Sequence, residues 1–272
     1  MPLAYYSRAA TQEFWSEHWG SEDVDRLVRV AEASPLTDLI ERALPDHGRI
    51  LEAGCGLGQY VILLRRRGHA MVGADWTPDA LGRCRAAAPA TPLVVMDLAA
   101  LAVGTGALAA YVSLGVVEHD ENGPEAIVAE AARVLAPGGR LLLSVPYWNG
   151  VRRALTPHLV REGRRVRATG GAFYQFAFTR REVRAFLEAH RFRVTSFHPY
   201  DPARMWRKRL ARLAGSLGGD GHGLVHAAGD RSRSTVPRPR PPLARTALKK
   251  LLYSPPSLRL FAHMILAVAV RT

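Results

Sequence analysis

The spacing of apolar positions changes several times along the chain. Residues 3–44 repeat at helical spacing and predict two helices, the first carrying Tyr5, Tyr6, Phe14, Trp15 and Trp19 and the second broken near Pro35. From residue 49 onward, short apolar runs alternate with helical stretches. Strands are predicted at 49–53, 69–75, 92–96, 110–114 and 140–145, with helices at 58–67, 78–88 and 123–135. Pro137-Gly138-Gly139 turns the chain into the fifth strand. Strands alternating with helices at this spacing predict a parallel sheet covered on both faces.

Beyond Pro146 the rhythm loosens. Residues 147–177 read as an insertion. Thr179, with Glu182 three residues on, is a capping-box start for a helix at 179–190. A sixth strand at 191–197, a basic helix at 202–217, a helix at 243–253 and a last strand at 263–270 follow. The intervening stretch, 215–242, is Gly-rich and then Arg/Pro-rich, and predicts a mobile basic loop. The whole predicts an α/β fold: a doubly wound, mostly parallel seven-stranded sheet with helices on both faces. Four regions are expected: an N-terminal helical lid (1–47), a ligand-binding core (48–146), a substrate-side insertion (147–178) and a C-terminal part completing the sheet (179–272).

Composition narrows the class. Hydrophobic residues make up 48% of the 272 and charged residues 22%, which excludes a disordered chain, a collagen-like fibre and a multi-span membrane protein. The most apolar run, 260–270, contains His263 and falls short of the roughly 20 residues of a spanning helix. The N-terminus lacks the charged-then-apolar pattern of a signal peptide. Cys55 and Cys84 show neither a disulfide framework nor metal spacing, so a reduced, cytoplasmic protein is expected.

Charge divides the chain in two. Residues 1–149 hold 12 basic and 18 acidic side chains, a net of −6, and residues 150–272 hold 25 and 6, a net of +19. The basic half suggests an anionic partner, although only three of the 37 basic residues are lysine, which is also how a coding bias would look.

The chemistry concentrates at strand ends. Leu51-Glu52-Ala53-Gly54-Cys55-Gly56-Leu57-Gly58 is a glycine-rich strand-to-helix turn, where a ligand can approach the backbone. A nicotinamide site would want its third glycine at position 59, which is glutamine. Glu52 at this turn would repel a pyrophosphate and suits a ligand carrying positive charge. Asp75, at the end of the second predicted strand, can accept hydrogen bonds from both hydroxyls of a ribose, and Trp76 is placed to lie against an adenine. Asp97 ends the third, and Met96-Asp97-Leu98 can meet the adenine amino edge. Three acidic strand ends converge on one crevice.

These motifs, with Ser113-Leu-Gly-Val-Val-Glu-His119 and Arg133-Val-Leu-Ala-Pro-Gly-Gly139, resemble class I S-adenosylmethionine-dependent methyltransferases, in particular the UbiE/type 11-like branch. The resemblance covers about residues 48–148 well and 173–197 more loosely. It implies a Rossmann-like methyltransferase fold and S-adenosylmethionine as cofactor, with cofactor contacts from Glu52, Gly54, Cys55, Gly56, Gly58, Asp75, Trp76, Asp97, Leu98 and Leu114. Two positions depart from the family. Ala109-Ala110 stand where an aspartate usually opens the fourth strand. Gly115 occupies the first position of the metal-binding E-x-x-E-H cluster of quinone O-methyltransferases, so no metal is assigned.

Transfer from a sulfonium needs position and exclusion of water more than acid–base help. For a weakly nucleophilic acceptor, His119 is the candidate catalytic base, with backbone hydrogen bonding as its alternative role. The leading expectation for the acceptor is a small molecule or biosynthetic intermediate, with an anionic one suiting the basic half; RNA and an anionic lipid-linked molecule at a membrane surface are the alternatives. No stable protein partner is expected.

Overall fold

The computed structural model describes residues 1–202, 204 and 251–272. In chain order the N-terminal part runs through β1 (Leu3–Ser7), α1 (Gln12–Gly20), α2 (Val24–Glu32) and α3 (Pro35–Ala43). The central part is β2 (Ile50–Ala53), α4 (Gln59–Arg66), β3 (Met71–Asp75), α5 (Pro78–Ala87), β4 (Leu93–Val95), β5 (Leu108–Leu114), α6 (Glu125–Val134) and β6 (Leu135–Pro146). Then follow α7 (Gly150–Ala154), α8 (Thr156–Ala168), β7 (Ala172–Ala177), α9 (Arg180–Ala189), β8 (Phe192–Tyr200), α10 (Pro255–Phe261) and β9 (Met264–Arg271). The basic helix expected from 202, the loop at 215–242 and nearly all of the helix at 243–253 lie outside the described residues.

Seven strands form one sheet in the order β4-β3-β2-β5-β6-β9-β8. The pairs from β4 to β6 are parallel, and β9 runs antiparallel to both β6 and β8. This is the doubly wound, mostly parallel sheet expected from the strand–helix alternation. Period-two alternation sends neighbouring residues to opposite faces. Ile50, Ala110, Val112 and Leu142 pack under α2 to α5, while Leu51, Tyr111, Leu141 and Leu143 pack under α6 and α9. The capping box of Thr179 and Glu182 starts α9 as expected.

The N-terminal segment corrects the sequence expectation. Tyr5 and Tyr6 lie on a strand, not a helix, because β1 pairs antiparallel with β7, with Leu3 opposite Ala177 and Tyr5 opposite Gln175. The Tyr6 ring meets Phe173 edge-on at 6.2 Å between centroids. Aromatic residues favour such half-buried strands, and a partner this far along the chain leaves no trace in local periodicity. The second expected helix is two, α2 and α3. The chain breaks where Ser34 accepts a hydrogen bond from the Leu36 amide and Pro35 takes the first helical turn. The expected insertion contains α7, α8 and β7, so β7 ties it to the N-terminal strand.

From β2 the chain proceeds outward through β3 and β4, then returns to β5 on the other side of β2. The connections after β2 and β5 therefore lead to helices on opposite faces, α4 and α6, and a crevice opens at the strand ends, where sheets of this kind bind ligands.

Candidate active site

The loop after β2 is fixed by its backbone. The amides of Gly54 and Cys55 both donate to the Ala74 carbonyl, at 2.8 and 3.0 Å. Gly54 has φ +78°, and a Cβ there would stand 2.4 Å from Val116 Cγ2. Only glycine lets the loops after β2 and β5 come this close. Gly56, at φ +53°, would bring a Cβ to 2.5 Å from the Trp19 ring. Its amide donates to Asp75 Oδ2 at 2.8 Å, and Asp75 Oδ1 accepts from the Thr77 amide at 2.9 Å. Asp75 is thus buried and oriented by two charge-assisted hydrogen bonds, with lone pairs left over for a ligand.

Glu52 is buried beneath this loop. Burial pushes its carboxyl up to about 8, a backbone hydrogen bond at Val61 pulls it down, and neighbouring Asp75 adds to the rise. Val61 belongs to the first turn of α4, whose N-cap Gly58 offers no side chain, so Glu52 caps that helix from outside. Its Oε2 has no hydrogen-bond partner among the described residues.

A cavity of about 840 Å³ opens over this loop. Of the sequence-predicted residues, Glu52, Gly54, Cys55, Asp75, Trp76, Asp97, Leu98, Leu114 and His119 line it. Gly56 and Gly58 do not. Gly56 serves Asp75 and Trp19, and Gly58 packs on helix α5, where a Cβ would stand 2.6 Å from Cys84 Sγ. Trp76 is 45% exposed at the rim, with its carbonyl accepting from Gln12 Nε2 on α1. Asp97 folds back on the Ala99 amide at 2.9 Å.

The opposite wall follows β5. A single 3₁₀ turn, Val117–His119, buries Glu118 to 2% exposure. Burial pushes its carboxyl up to about 8, against a backbone hydrogen bond and the charge of Arg204, and its Oε2 is unpartnered among the described residues. His119 Nδ1 lies 2.7 Å from the Tyr174 carbonyl. A carbonyl only accepts, so Nδ1 carries the hydrogen and Nε2 of the neutral ring is left as an acceptor. Burial holds the imidazole below its ordinary pKa. Its Nε2 stands 4.0 Å from Glu118 Oε1.

Rings from α1 and β7 close the wall. His119 lies edge-on to Trp15 and to Tyr174, at 5.0 Å in each case, and Trp15 stacks on Trp19 at 6.1 Å. Helix α1 contributes no fully buried residue; Ser16 Oγ donates to Asp79 of α5 at 3.0 Å, Arg83 of α5 donates to the Gly20 carbonyl, and half-buried Trp19 packs on the core. Sequence reasoning did not single out Tyr174, His18 or Arg204 for the cavity, and met Glu118 only as an unassigned metal position. An acidic residue just past the apolar strand 110–114 was the one available signal for Glu118.

Comparisons with known proteins agree with this geometry. A family model described as a methyltransferase domain matches residues 51–143. A probable S-adenosylmethionine-dependent methyltransferase of Mycolicibacterium smegmatis is 32% identical over 97 residues, 36% of this chain and 37% of that protein. The chain thus matches little more than a third of that relative's length. Among solved structures, geranyl diphosphate C-methyltransferase of Streptomyces coelicolor superposes with a TM-score of 0.60 at 16% identity, covering 97% of this chain and 100% of the other. A putative sarcosine dimethylglycine methyltransferase of Galdieria sulphuraria gives 0.58 at 13%, covering 96% and 98%. At such identities the likeness is one of fold. The sheet, the strand-end crevice and the family match over residues 51–143 together make this part of the chain similar to methyltransferase domains.

Proposed function

We propose that the chain is an S-adenosylmethionine-dependent methyltransferase of the UbiE/type 11-like branch, acting on a small-molecule acceptor. The observation that carries this is Glu52: a buried carboxylate oxygen without a partner, on the floor of a crevice whose glycine loop leaves no room for a Cβ. A buried carboxyl of this kind favours a cationic ligand, and the cofactor carries both a sulfonium and an ammonium. Glu52 and the loop at Gly54 and Cys55 would hold its methionine part, Asp75 its ribose, and Trp76, Asp97 and Leu98 its adenine. When bound, the cofactor supplies an electrophilic methyl group. The chain's own residues align the acceptor, exclude water and receive a proton.

Helix α1 acts as a lid over the acceptor: none of its residues is buried, and edge-on rings with a few polar contacts seat it. The proton of an acceptor has two destinations on the wall, His119 Nε2 and the Glu118 carboxylate. Calorimetry with S-adenosylhomocysteine and with NADH tests the cofactor: the first binds and the second does not. Preferential NADH binding sinks the proposal.

A second reading has its own observation. Helix α8 buries none of its residues, presents Arg161, Arg164, Arg165 and Arg167, and leaves Val160 exposed, with Leu155 exposed just before it. Such a helix suits an anionic bilayer, which would place the acceptor at a membrane surface. Sedimentation with phosphatidylglycerol vesicles that is lost as salt rises supports it; no sedimentation at low salt removes it.

A further inference from the structure

We propose that the acceptor is an amine, bound as its ammonium ion against Glu118 within a box of aromatic rings. This rests on the methyltransferase proposal and names the substrate class of the same cavity.

The first observation is charge. In a chain of net +13, the cavity is lined by the strand-end carboxylates Glu52, Asp75 and Asp97, and beyond them by Glu22, Glu118, Asp120, Glu121 and Asp201. Arg204 is the one arginine among the described lining residues. An anionic acceptor would meet like charge on most sides, which costs several kcal/mol. The described lining of the cavity is therefore mainly acidic, in a chain of net +13.

The second observation is the state of Glu118. Glu22 already pairs with Arg26, whereas Glu118 is 2% exposed and its Oε2 has no partner among the described residues. Among the described residues its one neighbour of basic type within 4.0 Å is His119 Nε2, on a ring whose pKa burial lowers, while the Arg204 charge acts on it from farther away. Left this way the carboxyl keeps its proton in the folded chain, and a cation arriving beside it would favour the ionised form. A neutral hydroxyl acceptor would bring none.

The third is the rings. Trp15, Trp19, Tyr174 and Phe14 line the same cavity, and ring faces attract cations. Phe14 already carries the Arg8 guanidinium at 5.2 Å on one face.

The transfer balances on these residues. Binding of the ammonium ionises Glu118, whose own proton goes to water; the carboxylate then takes one ammonium proton, and the freed nitrogen lone pair forms the N–C bond to the methyl carbon. The S–C bond breaks with its electron pair staying on sulfur, so S-adenosylhomocysteine and the methylated amine leave, with the proton released from Glu118 to water.

The test uses the full chain saturated with S-adenosylhomocysteine and three probes of similar shape: benzylamine, benzyl alcohol and benzoate. Tryptophan fluorescence at neutral pH and physiological salt reads binding. Benzylamine is expected to bind at least about tenfold tighter than benzyl alcohol, with benzoate weakest. Glu118→Gln should bring benzylamine to within about threefold of the alcohol while leaving the affinity for S-adenosylhomocysteine unchanged. The proposal is overturned if the alcohol or benzoate equals benzylamine, or if benzylamine does not bind at roughly 20 mM. It is also overturned if the preference survives in a folded Glu118→Gln protein. The probe series in the parent protein decides the matter even if that variant fails to fold. Failure of S-adenosylhomocysteine itself to bind is a separate result, and it removes the cofactor reading together with this one.

Discussion

At the ends of β2, β3 and β4 most candidate cofactor residues sit on the strand or within three residues of its end, among them Glu52, Gly54, Asp75, Trp76, Asp97 and Leu98. The facing wall is assembled from α1, the turn after β5, Tyr174 of β7 and Arg204, which the chain brings together from distant places. The first half is set by backbone: amides on the Ala74 carbonyl and on Asp75, and close approaches that exclude a Cβ. The second is set by ring contacts and polar docking of α1. A site built this way can keep one cofactor while its acceptor changes, because the variable wall can be rebuilt without disturbing the sheet.

That contrast gives the largest expected effect. Asp75→Ala leaves the Gly56 and Thr77 amides without their acceptor and, on the proposed reading, removes the group that meets the ribose, each a bond of about 1.5–3 kcal/mol. Affinity for S-adenosylhomocysteine should fall by at least about a hundredfold, roughly 3 kcal/mol, as read by calorimetry. His119→Ala on the opposite wall should leave that affinity within about twofold and slow single-turnover transfer by about 10–100-fold, through lost placement of Tyr174 and Trp15. A loss larger than this would make Nε2 the proton acceptor. Equal losses of affinity in both variants would erase the division into halves.

The same contrast explains what the sequence made legible. Asp75 and Asp97 could be placed because a strand end is visible in local periodicity and a ligand crevice follows from strand order. Gly58 shows the limit of that logic, since a glycine packed against Cys84 and a glycine facing a ligand look alike in a motif. Tyr5 and Tyr6 fell on a strand because β7 pairs with them, and no window of local sequence contains that partner. Tyr174 and His18 reach the cavity only through that ribbon and the docking of α1, so their roles lay in tertiary contacts alone.

The two halves share one liability, a carboxyl buried without full pairing. Glu118 titrates near 8 in the folded chain, against 4.5 for the ordinary group, because burial penalises its charge. Between these values the folded protein keeps a proton that the unfolded chain has released. Stability therefore falls as pH rises from about 4.5 to about 8 and levels off beyond. Glu118→Gln removes that dependence. The variant should be more stable than the parent by about 1–3 kcal/mol at pH 8, in urea titrations, with the difference vanishing near pH 4. Glu52 also stands near 8, so Glu52→Gln should act in the same direction, offset by the weakened cap on α4. A parent protein equally stable at both ends of this range would mean that neither carboxyl is desolvated as described.

The smallest expected effect lies at the rim of the strand-end half, where Trp76 is 45% exposed. Its backbone is fixed on both sides: Asp75 ends β3, and the Trp76 carbonyl accepts from Gln12 of α1. The fixed backbone thus keeps this half-exposed indole at the rim of the cavity, where the proposed reading puts the adenine. Stacking a base on an aromatic ring contributes about 1–3 kcal/mol, and half-exposure puts this case at the low end. Trp76→Ala should weaken S-adenosylhomocysteine binding by about three- to tenfold, and Trp76→Phe should restore most of it because the ring face is kept. Adenosine alone should show the same ratio between variants, since the contact is to the base, while methionine should show none. A loss shared by methionine would mean that Trp76 acts through the seating of α1, and Gln12→Ala would then reproduce it.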